Sequence, residues 1–287
     1  MRCFSILLIL FLQLSARAQD SVALLIRCDD IGMSRSVNMA AKKVLETGLP
    51  VSMSVMVPCP WFEDAVALLK QYPHVAVGIH LTLNSEWKQY RWGPVSGKHM
   101  VPSLVDSMGN FFPSRAKLFA NNPALHEIEF ELRAQIEKAK RTGLAISYLD
   151  YHMGAAMQTL ETRAIVEKLA NEFGLSISRY YGEKDMTGMY FAAPADKKAR
   201  LIEQVNALKS STVQLLVTQV GIDNDELAAM DDLNPGAPAE MSKHRQAELN
   251  ALISPELRKA LQKNRIKLVN YAMLNQQIGI TKMKRPM

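Results

Sequence analysis

The feature that most constrains this chain is an alternation of short apolar runs with amphipathic stretches, sustained over most of its length. Apolar runs at 22–27, 51–57, 75–81, 145–149, 175–179, 212–218 and 266–271 read as buried strands. Between them, 36–47, 61–71, 122–141, 159–173 and 195–208 carry apolar residues at helical spacing. In the first of these, Val37, Ala40, Ala41, Val44 and Leu45 share one face. Helix signals agree with these limits. Asn122-Pro123 reads as N-cap and first helical residue, Ser242 and Ser254-Pro255 as later starts, and Gly48, Gly143 and Gly174 as stops. A short helix is expected over 273–278. About seven strand–helix units in alternation call for a parallel sheet covered on both faces. A closed or nearly closed (β/α) barrel fits best, with an open doubly wound sheet as the alternative. No GxGxxG or P-loop follows the first strand, which argues against nucleotide binding. No linker or compositional break divides residues 19–287, so a single domain is expected; an α/β barrel takes about 250 residues.

Residues 1–18 precede this pattern. Arg2, the apolar run 3–14 and the small-x-small site Ala16-Arg17-Ala18 form the pattern of a secretory signal peptide. The run falls short of the ~20 residues of a spanning helix, so a membrane anchor is the weaker reading. Export to periplasm or medium is the expectation, with no transmembrane segment left after cleavage. Cleavage would remove two of the positive charges behind a net charge of +6. The remaining excess is mild and mixed with acidic residues, so nucleic acid is not an expected partner. Cys28 and Cys59 would remain. Without a CxxC spacing they are too few for a disulfide framework or a zinc knuckle, and buried thiols are expected rather than a Cys28–Cys59 disulfide. The oligomeric state stays open, a homodimer included.

Titratable residues gather at one kind of place. Asp29 and Asp30 follow the first strand, His80 ends the third, and Asp150 and His152 follow the run at 145–149. Strand C-termini of a parallel barrel meet on one face, so residues far apart in sequence can converge there. Taken singly, each has a structural reading: Asp30 as an N-cap, either histidine as a hydrogen-bonded core residue. The adjacent carboxylates are harder to place structurally, because they repel one another unless a cation neutralises one. One carboxylate and two imidazoles make a three-ligand site for a divalent ion such as zinc, with room for water. The second carboxylate is then free to act as a base. Asp150 is placed to orient His152 or a neighbouring group.

These residues sit in stretches that resemble a known family. Arg27-Cys28-Asp29-Asp30-Ile31-Gly32-Met33-Ser34, with Val37-Asn38, resembles the opening motif of the YdjC-like carbohydrate deacetylases, the group that includes chitooligosaccharide deacetylases. Val77-Gly78-Ile79-His80-Leu81-Thr82-Leu83 is similar to their second motif and Tyr148-Leu149-Asp150-Tyr151-His152 to their third. Ser103-Leu104-Val105-Asp106 with Gly109 and Phe111, and Arg245 with Glu248-Leu249, resemble lesser landmarks. The resemblance runs from about Val22 to Tyr271. It implies a single distorted TIM-like barrel and one divalent metal ion, magnesium or zinc. It implies Asp30, His80 and His152 as ligands, Asp29 as general base, and an N-acetylated sugar or oligosaccharide as substrate.

The sequence departs from that pattern at one point. Members usually carry a histidine after a late strand, where this chain reads Thr218-Gln219-Val220-Gly221. Gln219 cannot titrate, although it can hydrogen-bond an acetyl group. The leaving amine still needs a proton, from Asp29 or from His244. A catalytically impaired, sugar-binding barrel is therefore the alternative to a working N-deacetylase; hydrolysis of a phosphate or ester ranks behind both. The long segment 82–113 has no period, and loops of that length are commonly functional. Its Trp87, Tyr90 and Trp92 either stack on sugar rings or pack the loop down. A second irregular stretch, 223–238, carries Asp223, Asp225, Glu226, Asp231 and Asp232.

Overall fold

Strands and helices alternate along the chain as its periodicity requires. The computed structural model describes residues 22–209 and 212–286; the expected signal peptide lies outside the described residues. The strands are β1 (Ala23–Ile31), β2 (Ser52–Val55), β3 (Ala76–Leu81), β4 (Ile146–Tyr151), β5 (Ser176–Ile177), β6 (Lys184–Asp185), β7 (Gln214–Thr218) and β8 (Lys267–Val269). The helices are α1 (Arg35–Leu45), α2 (Phe62–Leu69), α3 (Arg115–Ala120), α4 (Leu125–Arg141), α5 (Leu160–Phe173), α6 (Lys197–Ala207), α7 (Asp225–Ala228), α8 (Met241–Leu252), α9 (Pro255–Lys263) and α10 (Tyr271–Gln277).

The eight strands among the described residues join one parallel sheet in the order β5-β4-β3-β2-β1-β7-β6, with β8 added on β1. Leu24 and Leu25 pair with both β7 and β8, so these two strands flank β1 on opposite edges. The sheet curls into a half-barrel. Among the described residues, its end strands β5 and β6 do not pair with each other, and each is only two residues long. The barrel expected from the alternation is thus open at that seam.

Side chains alternate across a strand, and this period sorts the core from the site. Leu24, Ile26 and Cys28 of β1, with Val77, Ile79 and Leu81 of β3, belong to the large cluster that takes in the buried faces of the helices. The other parity is the inner face. There Leu25, Ala76, Tyr148 and Leu215 pack against Tyr271 and Leu274 of α10, which plugs the curl. Further along the same parity the inner face turns polar: Arg27 and Asp29, Ser54, His80, and Asp150 followed by His152. Gly78 is required between Ala76 and His80, because a Cβ there would overlap the Tyr148 ring.

Several local expectations are corrected. Asn122 does not cap α4; it sits in the left-handed region (φ 50°) after α3, a helix the sequence reading passed over. The α4 N-terminus is served instead by Ser103, whose Oγ accepts from Ala124 N (2.9 Å), while Glu127 Oε2 accepts from Ser103 N and Oγ at 2.8 and 2.7 Å. That explains Ser103 as a landmark far from the chemistry. α8 begins at Met241 rather than Ser242, and α10, capped by Asn270, begins at Tyr271, two residues before the expected start. Ser254 and Pro255 start α9 as read from the sequence. Cys28 and Cys59 are free, buried thiols. No helix among the described residues is long and apolar enough to cross a membrane.

Candidate functional site

Asp29 and Asp30 lie within the C-terminal end of β1 itself, not after it. The β1–β2 register shifts between Cys28 and Ile31, and Asp30 has φ 66°. A left-handed non-glycine residue inside a strand end is strained unless its surroundings hold it. They do. Gly32 N donates to Asn38 Oδ1 (2.8 Å), and Asn38 Nδ2 donates to Asp64 Oδ2 (2.8 Å) and Trp61 O (3.0 Å). Ser34 caps α1 through its Oγ. The kink sends the side chains of Asp29 and Asp30 toward one cavity, against the alternation of the strand. That cavity, about 170 Å³, is lined by Asp29, Asp30, His80, Glu86, Trp87, Tyr151, His152, Met153, Tyr190, Gln219, Asp232, Met241 and Arg245.

Three donor atoms meet at its floor. Asp30 Oδ1 is 3.4 Å from His80 Nε2 and 3.3 Å from His152 Nδ1, and the two nitrogens are 3.2 Å apart. Donors around an ion held at ~2.0–2.2 Å stand ~2.8–3.6 Å apart in octahedral or tetrahedral geometry. All three spacings fall inside that interval, so the residues present fit a divalent ion. Asp29, His80 and Asp150 form a second cluster of potential ligand atoms. There the Arg27 guanidinium already supplies the positive charge. Its Nε and Nη2 donate to Asp29 at 2.7 and 2.8 Å, and its Nε lies 2.8 Å from Asp150 Oδ2.

Each ligand candidate is held from behind. Arg245 Nη2 donates to Asp30 Oδ2 (2.7 Å), leaving Oδ1 toward the imidazoles. Trp87 lies against the Arg245 guanidinium, 5.7 Å from ring centroid to Cζ. Glu86 Oε2 is 2.9 Å from His152 Nε2. Asp150 Oδ1 lies 3.1 Å from His80 Nδ1, out of line for a hydrogen bond, and Asp150 Oδ2 accepts from Ser54 Oγ (2.8 Å). Asp150 therefore faces His80, and it is Glu86 that serves His152. Burial works against the charge on Asp30, yet Arg245 and the two imidazoles hold its carboxyl well below the usual range. Burial alone would lower both histidines. Asp150 and Asp29 lift His80 to about 10, and Glu86 with Asp30 lifts His152 to about 9.

The aromatic loop is packed down. Trp87 is 1% and Trp92 3% exposed. Trp92 Nε1 donates to Asn84 O (3.0 Å), Tyr90 OH donates to Met33 O (2.7 Å), and the Trp92 ring lies edge-on to His152 at 6.3 Å. The aromatic side chains that line the cavity beside Trp87 are Tyr151 and Tyr190. Gln219 lines it as well, its backbone N donating to Glu248 Oε2 (2.8 Å). Buried Lys197 binds Glu248 Oε1 (2.9 Å) and the Met189 and Tyr190 carbonyls (2.7 and 3.1 Å), joining two walls. His244 is not among the lining residues. Glu86, Lys197 and Asp232 escaped the sequence reading of the site, since each sits in an aperiodic loop or on a helix face whose pattern carries no chemical signal.

A model of the family described as YdjC-like protein matches residues 23–263. The chain belongs to the YdjC-like family. A carbohydrate deacetylase of Brevibacillus brevis is 28% identical over 277 residues, covering 88% of this chain and 99% of its own. A carbohydrate deacetylase of Thermoanaerobacter pseudethanolicus is 24% identical over 265 residues, covering 88% and 98%. A crystal structure from Enterococcus faecalis, described as a candidate cellobiose-phosphate cleavage protein, superposes with a TM-score of 0.73. It is 21% identical, over 88% of this chain and 99% of that one, and shows the fold. The matched span of this YdjC-like chain includes every residue of the donor cluster and the arginines behind it.

Proposed function

We propose that this protein is a metal-dependent hydrolase that removes acetyl groups from N-acetylated sugars, on a half-barrel read as a distorted TIM-like barrel. The observation that carries the reading is the donor triangle of Asp30, His80 and His152, with Asp29 beside it on the same cavity wall. The carbohydrate deacetylase relatives support the substrate class. A divalent ion, magnesium or zinc, bound there supplies a Lewis acid for an acyl oxygen and lowers the pKa of water.

This chain's own residues do the rest. Asp29 accepts a proton from the attacking water, and the Arg27 fork fixes both its oxygens for that role. Arg245 lines the cavity and holds Asp30 Oδ2, which keeps Oδ1 turned toward the two imidazoles. Gln219 offers an amide to the acetyl group, and Tyr151 and Tyr190 offer apolar faces to the sugar ring. The cavity is smaller than the ~300–1,000 Å³ of drug-sized ligand sites, which suits one acetylated ring end rather than a whole oligosaccharide.

The test is acetate release from a panel of N-acetylated mono- and oligosaccharides in the presence of magnesium or zinc. Wild-type protein is expected to release acetate, and Asp29→Asn to bind metal yet lose release. Turnover surviving Asp29→Asn removes Asp29 from the mechanism. Binding of N-acetylated oligomers without any acetate sinks the enzymatic reading in favour of sugar binding.

A further inference from the structure

Amide hydrolysis must place a proton on the departing amine: Gln219 cannot titrate, His244 does not line the cavity, and Asp29 has both oxygens held by the Arg27 guanidinium. We propose that Asp232 is the proton donor, an assignment that rests on the deacetylase reading above.

Asp232 is brought to the cavity by a built contact. The loops 82–113 and 229–240 interlock through an antiparallel bridge between Trp87 and Asp232. The flanking bonds are Lys88 N to Asp231 O and Leu233 N to Glu86 O, both 2.8 Å. A pair enclosed in this way has its side chains on one face, close together. Trp87 is the residue stacked on Arg245, which binds Asp30. Asp232 thus reaches the same cavity as Asp29, but from a loop instead of from β1.

The two carboxyl groups differ in their partners. Asp29 is bonded through both oxygens to a guanidinium. Asp232 Oδ1 accepts from Asn234 N (2.7 Å) and Asn234 Nδ2 (2.9 Å), both neutral donors, and Oδ2 accepts no hydrogen bond among the described residues. Oδ1 is fixed and Oδ2 is free to carry a proton. The charged groups bearing on it are Glu86 and Arg245. Partial burial pushes the Asp232 carboxyl up and Glu86 adds to this, against the Asn234 bonds and Arg245; the net shift is upward.

The step balances. Water oxygen bonds to the acetyl carbon and gives a proton to Asp29. The C–N bond breaks with its electron pair on nitrogen, which takes the proton from Asp232 Oδ2. Acetic acid and the free amine leave, and a proton returns from Asp29 to Asp232 through solvent.

The experiment compares two acetyl donors on the metal-loaded full-length protein: an N-acetylated chitooligosaccharide and p-nitrophenyl acetate, whose phenolate departs without a proton. Asp232→Asn is expected to lower amide kcat about 10²–10⁴-fold, with KM and ester turnover held within about threefold. Asp29→Asn is expected to lose both reactions. Gln219→His added to Asp232→Asn is expected to restore part of the amide rate. Amide turnover unchanged in Asp232→Asn, or amide and ester lost equally, overturns the assignment while leaving the deacetylase reading intact. A wild-type protein that cleaves no amide overturns both.

Discussion

Glu86 Oε2 stands 2.9 Å from His152 Nε2, on the ring edge opposite the nitrogen that faces Asp30. This contact fixes the tautomer that leaves Nδ1 free to act as a ligand. Outer partners of this kind set ligand orientation and basicity, and their loss costs about 10–100-fold in metal affinity. Glu86→Ala is therefore expected to weaken divalent-ion binding by that factor with the fold retained, read by calorimetric titration beside a circular dichroism spectrum.

The histidines also predict a pH signature for the metal-free protein. His80 is lifted to about 10 and His152 to about 9, because carboxylates outweigh the effect of burial. An unfolded histidine titrates near ~6.5. The folded chain thus binds these protons more tightly than the unfolded one. That stabilisation is complete below about pH 6.5 and is lost as pH rises through 9 and 10. A bound ion replaces the protons, so the Tm difference between loaded and chelated protein is expected to widen from pH 6.5 to 10. A constant difference contradicts this.

Arg27 binds Asp29, approaches Asp150 and donates to Ser178 Oγ (2.7 Å), all within the inner face. Removing one member of a buried ion network leaves the others charged and unpaired, at a cost of about 3–5 kcal/mol. Arg27→Ala is expected to lose stability on that scale in urea denaturation. A loss under about 1 kcal/mol, typical of an exposed pair, would show that the network is solvated.

How much of this was legible in the sequence follows from what periodicity encodes. Asp30, His80 and His152 each end or follow a strong apolar run, and a parallel sheet gathers strand ends, so their convergence could be anticipated. Glu86 could not, because its place depends on how an aperiodic loop folds back over the mouth. The same loop sets Trp87 and Trp92: the sequence shows two indoles, and only the packing shows both buried. The sequence puts Asp150 at its strand end to orient His152 or a neighbouring group, and which of these it meets depends on how a ring turns: the neighbour is His80. The open seam at β5 and β6 was hidden because two-residue strands carry no period. The open seam also shows why counting strand–helix units cannot by itself decide closure.

Cys28 and Cys59 supply a check on the core. Burial pushes the Cys28 thiol up to about 12 and Cys59 well above its ordinary value. The thiolate is the reactive form. Both are expected to resist a thiol reagent at pH 8 in the folded protein and to react in denaturant, as mapped by peptide mass. Modification of either in the native state would mean that the core opens around it.

The most direct test of the metal-centred account is acetate release from an N-acetylated chitooligosaccharide by chelated protein as magnesium or zinc is added back. Metal occupancy is followed in the same samples, for wild type and His80→Ala. Release that is absent after chelation and rises with occupancy toward one ion per chain, with His80→Ala neither binding nor turning over, is the predicted result. Full release by chelated protein, or by His80→Ala without an ion, would contradict it.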